Sequence, residues 1–214
     1  MHIILVGIQG SGKGTQAREI REHNPNYDFF EMGQKLRDFS QMDEELSPKV
    51  RESLEKGELI SDDIIEAMLR HYAKNHSEKT IVFDGIPRTL SQLDVMEKVF
   101  PEYFVIFLDL DKEEAIKRLA NRRVDPVTGR SFPADFEGEF SPFTGNKLIK
   151  RDDDNEEAVL KRIAGFYHNT LPLITEWAAR GKRVYRVDAG KDIDEVYDMI
   201  EAILSAYNGY DGVS

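Results

Sequence analysis

Short apolar runs alternate along the chain with longer stretches in which apolar residues recur every three or four positions. The runs Ile3–Val6, Tyr27–Phe30, Thr80–Phe83, Tyr103–Leu108 and Arg183–Val187 read as strands, being short and bounded by polar or turn-forming residues. Asp62–Tyr72 reads as a helix, because Ile64, Ile65, Met68, Leu69 and Tyr72 fall on one face. In Asp192–Tyr207, Ile193, Val196, Tyr197, Ile200, Ile203, Leu204 and Tyr207 follow the 3.6-residue period closely. Asp111 with Glu114, and Asp192 with Glu195, have capping-box spacing at two helix starts. Strand–helix alternation predicts an α/β fold with a parallel sheet covered on both faces.

Two stretches break this alternation. Residues 31–60 read as two short helices around Ser47-Pro48, with proline at a first helical position. Residues 122–154 carry Asp125-Pro126, Thr128-Gly129, Ser141-Pro142 and Thr144-Gly145 with no helical period, which predicts a small β-rich insertion. Within it Phe132, Phe136, Phe140 and Phe143 are expected to form a small core. Trp177, on a stripe with Leu173 and Ile174, is expected to be packing. Asn208 to Ser214 reads as a frayed tail.

Composition narrows the chemistry. The 214 residues suit one domain with insertions. A net charge of −11 disfavours a large polyanionic partner, either nucleic acid or an anionic membrane. With no cysteine there is no disulfide, thiolate nucleophile or Cys-ligated metal. The start Met1-His2-Ile3-Ile4 has no basic region or cleavage site, and no run reaches membrane-spanning length, so the expected location is the cytoplasm.

The strongest motif is Gly7-Ile8-Gln9-Gly10-Ser11-Gly12-Lys13-Gly14-Thr15, which follows the first strand and opens a helix running to about Glu22. Glycines let successive backbone N–H groups point inward as an anion nest. The helix N-terminus adds its dipole, Lys13 a point charge and Thr15 a hydroxyl. The pattern departs from G-x-x-x-x-G-K-[ST] because Gly14 takes the hydroxyl position. A glycine-rich turn without a ligand is the bland alternative, and the strand–loop–helix context weighs against it.

Phe83-Asp84-Gly85-Ile86-Pro87-Arg88-Thr89 ends a strand, with Gln92 one helical turn later. Arg118, Arg122 and Arg123 lie at the entrance of the insertion, and Arg151 and Arg162 at and beyond its exit. Together with the phosphate loop, these residues resemble the adenylate kinase family of nucleoside monophosphate kinases, from Met1 to about Lys191. The resemblance implies a three-layer P-loop kinase fold with a five-stranded parallel sheet. It also implies three parts: a CORE (1–30, 61–121 and 155–214), a helical AMP-binding flap (31–60) and a long LID (122–154).

The resemblance also assigns roles. Gly10, Ser11, Gly12, Lys13, Gly14 and Thr15 hold the ATP phosphates; Arg118, Arg122, Ser131, Phe132 and Lys191 complete the ATP site. Met32, Arg37, Glu58, Leu59, Ile60, Gly85, Ile86, Pro87, Arg88 and Gln92 line the AMP site, with Gln92 reading the adenine edge. Arg151 and Arg162 belong to that site too. Lys13, Arg88, Arg122, Arg151 and Arg162 surround the transferred phosphoryl group, and Asp84 lies near Mg2+, acting through water. The implied reaction is Mg·ATP plus AMP to two ADP, by a monomer. Phosphoryl transfer is helped mainly by positioning and charge stabilisation, for which several arginines are suited. An anionic AMP phosphate needs no general base.

Three residues depart from the family pattern. Met32 stands where a threonine touches adenine, Gln34 where an acid lies near the metal, and Gln9 where proline is common. Losing the hydroxyl weakens base discrimination, so another monophosphate (UMP, CMP or GMP) is the alternative substrate. A non-catalytic homologue is a further alternative. A switch GTPase is disfavoured, since Asn146-Lys147-Leu148-Ile149 lacks the required Asp. Where relatives carry two C-x2-C zinc pairs in the LID, this chain has Asp125-x2-Thr128 and Ser141-x2-Thr144. Hydroxyls are weak zinc ligands, so the expectation is a hydrogen-bonded LID without zinc.

Overall fold

The structure, a computed structural model, describes residues 1–41, 47–56, 60–76, 78–120, 122–133, 136–150 and 156–208. The chain runs β1 (His2–Gly7), α1 (Lys13–His23), β2 (Asp28–Glu31), α2 (Met32–Gln41), α3 (Ser47–Lys56), α4 (Asp62–Asn75), β3 (Ile81–Asp84) and α5 (Leu90–Val99). Then follow β4 (Tyr103–Asp109), α6 (Lys112–Ala120), β5 (Arg123–Val124), β6 (Ser131–Phe132) and α7 (Glu156–Gly165). A π-helical turn (Phe166–Thr170), α8 (Leu173–Ala179), β7 (Val184–Asp188) and α9 (Ile193–Asn208) complete it.

The main sheet has five strands in the order β2-β3-β1-β4-β7, all parallel. Parallel pairing forces crossover connections, and here these carry helices over the sheet. Every expected strand is present to within one residue. β1 and β4 are apolar nearly throughout because both are interior strands. α4 buries the five predicted apolar residues, and α9 buries Val196, Tyr197, Ile200 and Leu204. Trp177 is fully buried. α1 packs against α9, where the Gln16 amide donates to the Ile193 carbonyl at 3.0 Å.

The capping boxes form only in part. Asp111 accepts from the Glu113 N–H at 2.9 Å, but Glu114 turns away to pair with Arg118. At the other site Glu195 reaches back to the Asp192 N–H at 3.4 Å. Pro48 is the second residue of α3.

The insertion holds the antiparallel pair β5–β6 and two isolated bridges, Val124 with Ile149 and Phe140 with Lys147. Its aromatic core is smaller than expected. Phe132 is buried against Phe136, but Phe140 and Phe143 are 58% and 59% exposed. Val124 and Leu148 fill the interior instead. The turn hydrogen bonds around Ser141 place Phe140 and Phe143 on the outside, and Arg130 covers the Phe143 ring at 3.6 Å. The acidic runs at 43–45 and 152–154, and the tail from 209, lie outside the described residues. Among the described residues, no helix is long and apolar enough to cross a membrane.

His2 gives the sheet a measurable pH dependence. Its Nδ1 accepts the Ile81 N–H at 3.2 Å, and its ring packs edge-on to Phe83 and Phe100. Burial pushes its pKa from the ordinary 6.5 to about 4. The unfolded chain therefore takes up this proton near pH 6.5, while the folded chain resists until about pH 4. The associated stability is complete above 6.5 and is lost as the pH falls towards 4. Thermal melts over this range should show a steeper loss of stability for the wild type than for His2→Asn, whose side-chain carbonyl accepts without titrating.

Candidate functional site

Parallel strands bring their C-terminal ends to one edge of the sheet, and the candidate residues gather there. The loop between β1 and α1 turns at Gly10 and Gly12, with φ of 88° and 87°. That left-handed backbone favours glycine. Gly7 is required for a different reason: a Cβ there would lie 2.6 Å from the Leu108 carbonyl oxygen and 2.7 Å from Ser11 Oγ. The N–H groups of Thr15 and Gln16 both turn back to the Gly12 carbonyl, starting α1. The Lys13 ammonium donates to the Gly7 and Ile8 carbonyls at 2.6 and 3.0 Å, which pins it beneath the loop.

Charge converges on this point. Lys13 lies within electrostatic reach of Asp84, Arg88 and Arg122, and Arg88 lies within reach of Arg162. Burial lowers the Lys13 pKa to about 8; Asp84 opposes that shift, while Arg88 and Arg122 add to it. Burial raises the Asp84 carboxyl, against the pull of Lys13. Partial desolvation of the otherwise exposed Arg88 lowers its pKa too; Asp84 opposes that shift, and the charge of Arg162 adds to it. A cationic cluster this crowded is stabilised by anionic oxygens, which is the arrangement phosphoryl transfer needs.

The loop after β3 is held at several points. Arg88 Nε donates to the Gly85 carbonyl at 2.9 Å, and Gly85 itself has φ of 82°. The Arg88 N–H donates to Gln92 Oε1 at 2.8 Å, and Thr89 caps α5 by accepting the Gln92 N–H. Gln92 is buried, with its carbonyl oxygen committed to the loop and its NH2 group the remaining side-chain donor. Ile86, Pro87, Met32 and Ile60 are buried apolar residues of this region. Met32 packs beside Gly85, where an added Cβ would sit 3.6 Å from Met32 Cβ. The wall that carries a threonine in the family pattern is thus apolar here.

The remaining ATP-side residues vary in placement. Arg118 donates to Glu114 at 3.0 Å and to the Ala189 carbonyl at 2.9 Å, tying α6 to the loop after β7. Lys191, on that same loop, faces Glu195 at 3.5 Å. Ser131 and Phe132 form β6, and Phe132 is buried within the insertion. Glu58, Leu59 and Arg151 lie outside the described residues, as does the Arg37 side chain. Pattern reading missed Thr170, whose hydroxyl donates to the Arg88 carbonyl at 3.1 Å. No local motif marks a contact 82 residues apart.

The four LID positions meet in space. Asp125, fully buried, accepts from the N–H groups of Val127 (2.9 Å) and Thr128 (3.3 Å) and from the Thr144 hydroxyl (2.6 Å). Ser141 Oγ accepts from the N–H groups of Phe143 and Thr144. Burial pulls the Asp125 carboxyl upward, but these bonds, with one from Ser141, outweigh it and hold the carboxyl well below its usual range. Arg123 donates to the Phe136 and Gly138 carbonyls, each at 2.6 Å, and braces the same fold.

Comparison with known proteins agrees with this geometry. A family model described as adenylate kinase matches residues 5–182. An adenylate kinase of Chloroherpeton thalassium is 34% identical over 218 residues, covering 96% of this chain and 99% of the relative. Adenylate kinases of Natronomonas pharaonis and Archaeoglobus fulgidus are also 34% identical, covering 94% and 95% of this chain and 96% and 98% of theirs.

The LID cluster can be tested directly. In Asp125→Ala, the amides of Val127 and Thr128 lose their acceptor. Hydrogen exchange should accelerate across 122–150 while β1 and β4 keep their protection, since local opening need not involve the main sheet.

Proposed function

The chain belongs to the adenylate kinase family, and from that premise we propose that it catalyses reversible phosphoryl transfer from Mg·ATP to AMP, giving two ADP. The observation that carries this reading is the phosphate loop with Lys13 pinned beneath it, Asp84, Arg88 and Arg122 within reach of Lys13, and Arg162 within reach of Arg88. In this reading the loop from Gly10 to Thr15 binds the ATP phosphates. Lys13 and Arg122 stabilise charge on the transferred group. Arg88, Arg162, Arg37 and Arg151 orient the AMP phosphate as attacking nucleophile. Closure of the LID (122–154) and flap (31–60) over the CORE excludes water, the competing acceptor.

Mg2+ bound with ATP supplies charge neutralisation across the phosphates. Mg2+ typically uses one or two carboxylates, with waters and phosphates as its other ligands. Asp84, a single carboxylate at the strand end within reach of Lys13, fits that demand. We place the protein in the cytoplasm as a monomer.

A coupled assay of ADP formation tests the activity. AMP should turn over faster than GMP, CMP or UMP, through Gln92 and the backbone. Lys13→Ala should lower kcat by about 100-fold or more, the scale of losing one preorganised charge contact. No turnover with any monophosphate overturns the reading, and faster turnover of GMP or a pyrimidine overturns the AMP assignment.

We also propose that the LID is held without zinc, because a carboxylate and three hydroxyls are poor zinc ligands and here bond to one another and to backbone N–H groups. Elemental analysis of protein purified without chelator should find no stoichiometric zinc.

A further inference from the structure

We propose that Thr170 is a positioning residue for AMP: its hydroxyl holds the main chain of Arg88 against the helix that carries Arg162. The proposal rests on the reading of Arg88 as an AMP-phosphate ligand. Arg88 is held on the other sides by its own loop. Its N–H donates to Gln92, and its Nε to Gly85. Its carbonyl is held from outside, by Thr170 Oγ1 at 3.1 Å.

The local helix geometry explains why Thr170 faces this carbonyl. Pro172 has no N–H to continue the helix, and its ring conflicts with the carbonyl four residues earlier, that of His168. The backbone widens into a π-helical turn over Phe166–Thr170, and the Leu171 N–H reaches the Phe166 carbonyl at 2.8 Å. A turn with one extra residue shifts the side chains that follow around the helix axis. Thr170 ends that turn, half-buried against the loop after β3.

The mechanical consequence concerns two cations. Arg162 lies near the end of α7, and the π-helical turn continues directly from it. Arg88 lies in the opposing charge of Asp84 and the like charge of Arg162, and that like charge pushes the two guanidinium groups apart. A hydrogen bond to the backbone of one, from the helix carrying the other, opposes that repulsion and keeps both guanidinium groups aimed at one phosphate. Pre-organisation of this kind lowers the cost of binding rather than adding a contact to the ligand.

The test compares Thr170→Val, which keeps the shape and removes the hydroxyl, with Thr170→Ser, which keeps the hydroxyl. In Thr170→Val the KM for AMP should rise about three- to tenfold, the range for one ordinary hydrogen bond. The AMP dissociation constant from titration calorimetry should rise by the same factor. The KM for ATP should change by less than about twofold, because the ATP side is untouched. Thr170→Ser should restore the wild-type values. An unchanged KM for AMP in Thr170→Val overturns the proposal. So does a parallel loss of both KM values and of melting temperature, which marks a structural role, or failure of Thr170→Ser to rescue. Arg88→Ala separates the two levels. If it leaves AMP binding intact, the reading of Arg88 fails; if it abolishes binding while Thr170→Val has no effect, only the present proposal fails.

Discussion

The parallel arrangement of the main sheet is the constraint on which the site depends. Because β1 lies between β3 and β4 and runs with both, the phosphate loop after Gly7 and the loop after Asp84 emerge from adjacent strands on the same edge. The register pairs Leu5 with Asp84 and Gly7 with Leu108, so the phosphate loop leaves the sheet beside β4, just beyond the point where β3 ends. The contact of Gly7 with β4 is so close that a single Cβ would collide with the Leu108 carbonyl. The sheet's packing and the shape of the phosphate loop are therefore one problem, since displacing either strand moves both loops.

Electrostatics then works against the overall charge. The chain carries −11 in total, yet the sheet edge brings Lys13 and Arg88 to Asp84, with Arg122 within reach of Lys13 and Arg162 within reach of Arg88. Desolvation lowers the proton affinity of Lys13 and Arg88 and raises that of Asp84, so these three charged forms are held at some cost. Phosphate oxygens offset that cost.

The LID solves a separate problem with different bonds. A short β-rich insertion has little apolar volume, and here Phe132, Val124 and Leu148 supply only a small core. Asp125 does the remaining work by collecting backbone N–H groups and the Thr144 hydroxyl at one buried carboxylate. Such a cluster orders the turns through directional bonds.

Much of this was legible along the chain. The strands, α4 and α9 follow from apolar period and length, because a buried strand and an amphipathic helix impose different spacings. The phosphate loop follows from glycine, lysine and helix start within one short segment, where all the chemistry is local. The LID hydrogen-bond positions were legible only through the family resemblance, as the places where relatives carry paired cysteines. Other features came only from the tertiary structure. Phe140 and Phe143 face solvent because turn bonds around Ser141 decide which aromatics point inward. Glu114 leaves its capping position because Arg118 offers a stronger charged partner. Gln92 turns its oxygen to the Arg88 N–H, and Thr170 meets the Arg88 carbonyl across 82 residues. Periodicity and motif spacing record interactions within a turn or a strand. Contacts between distant segments depend on where the packed sheet and helices place them, and that is settled only when the chain folds.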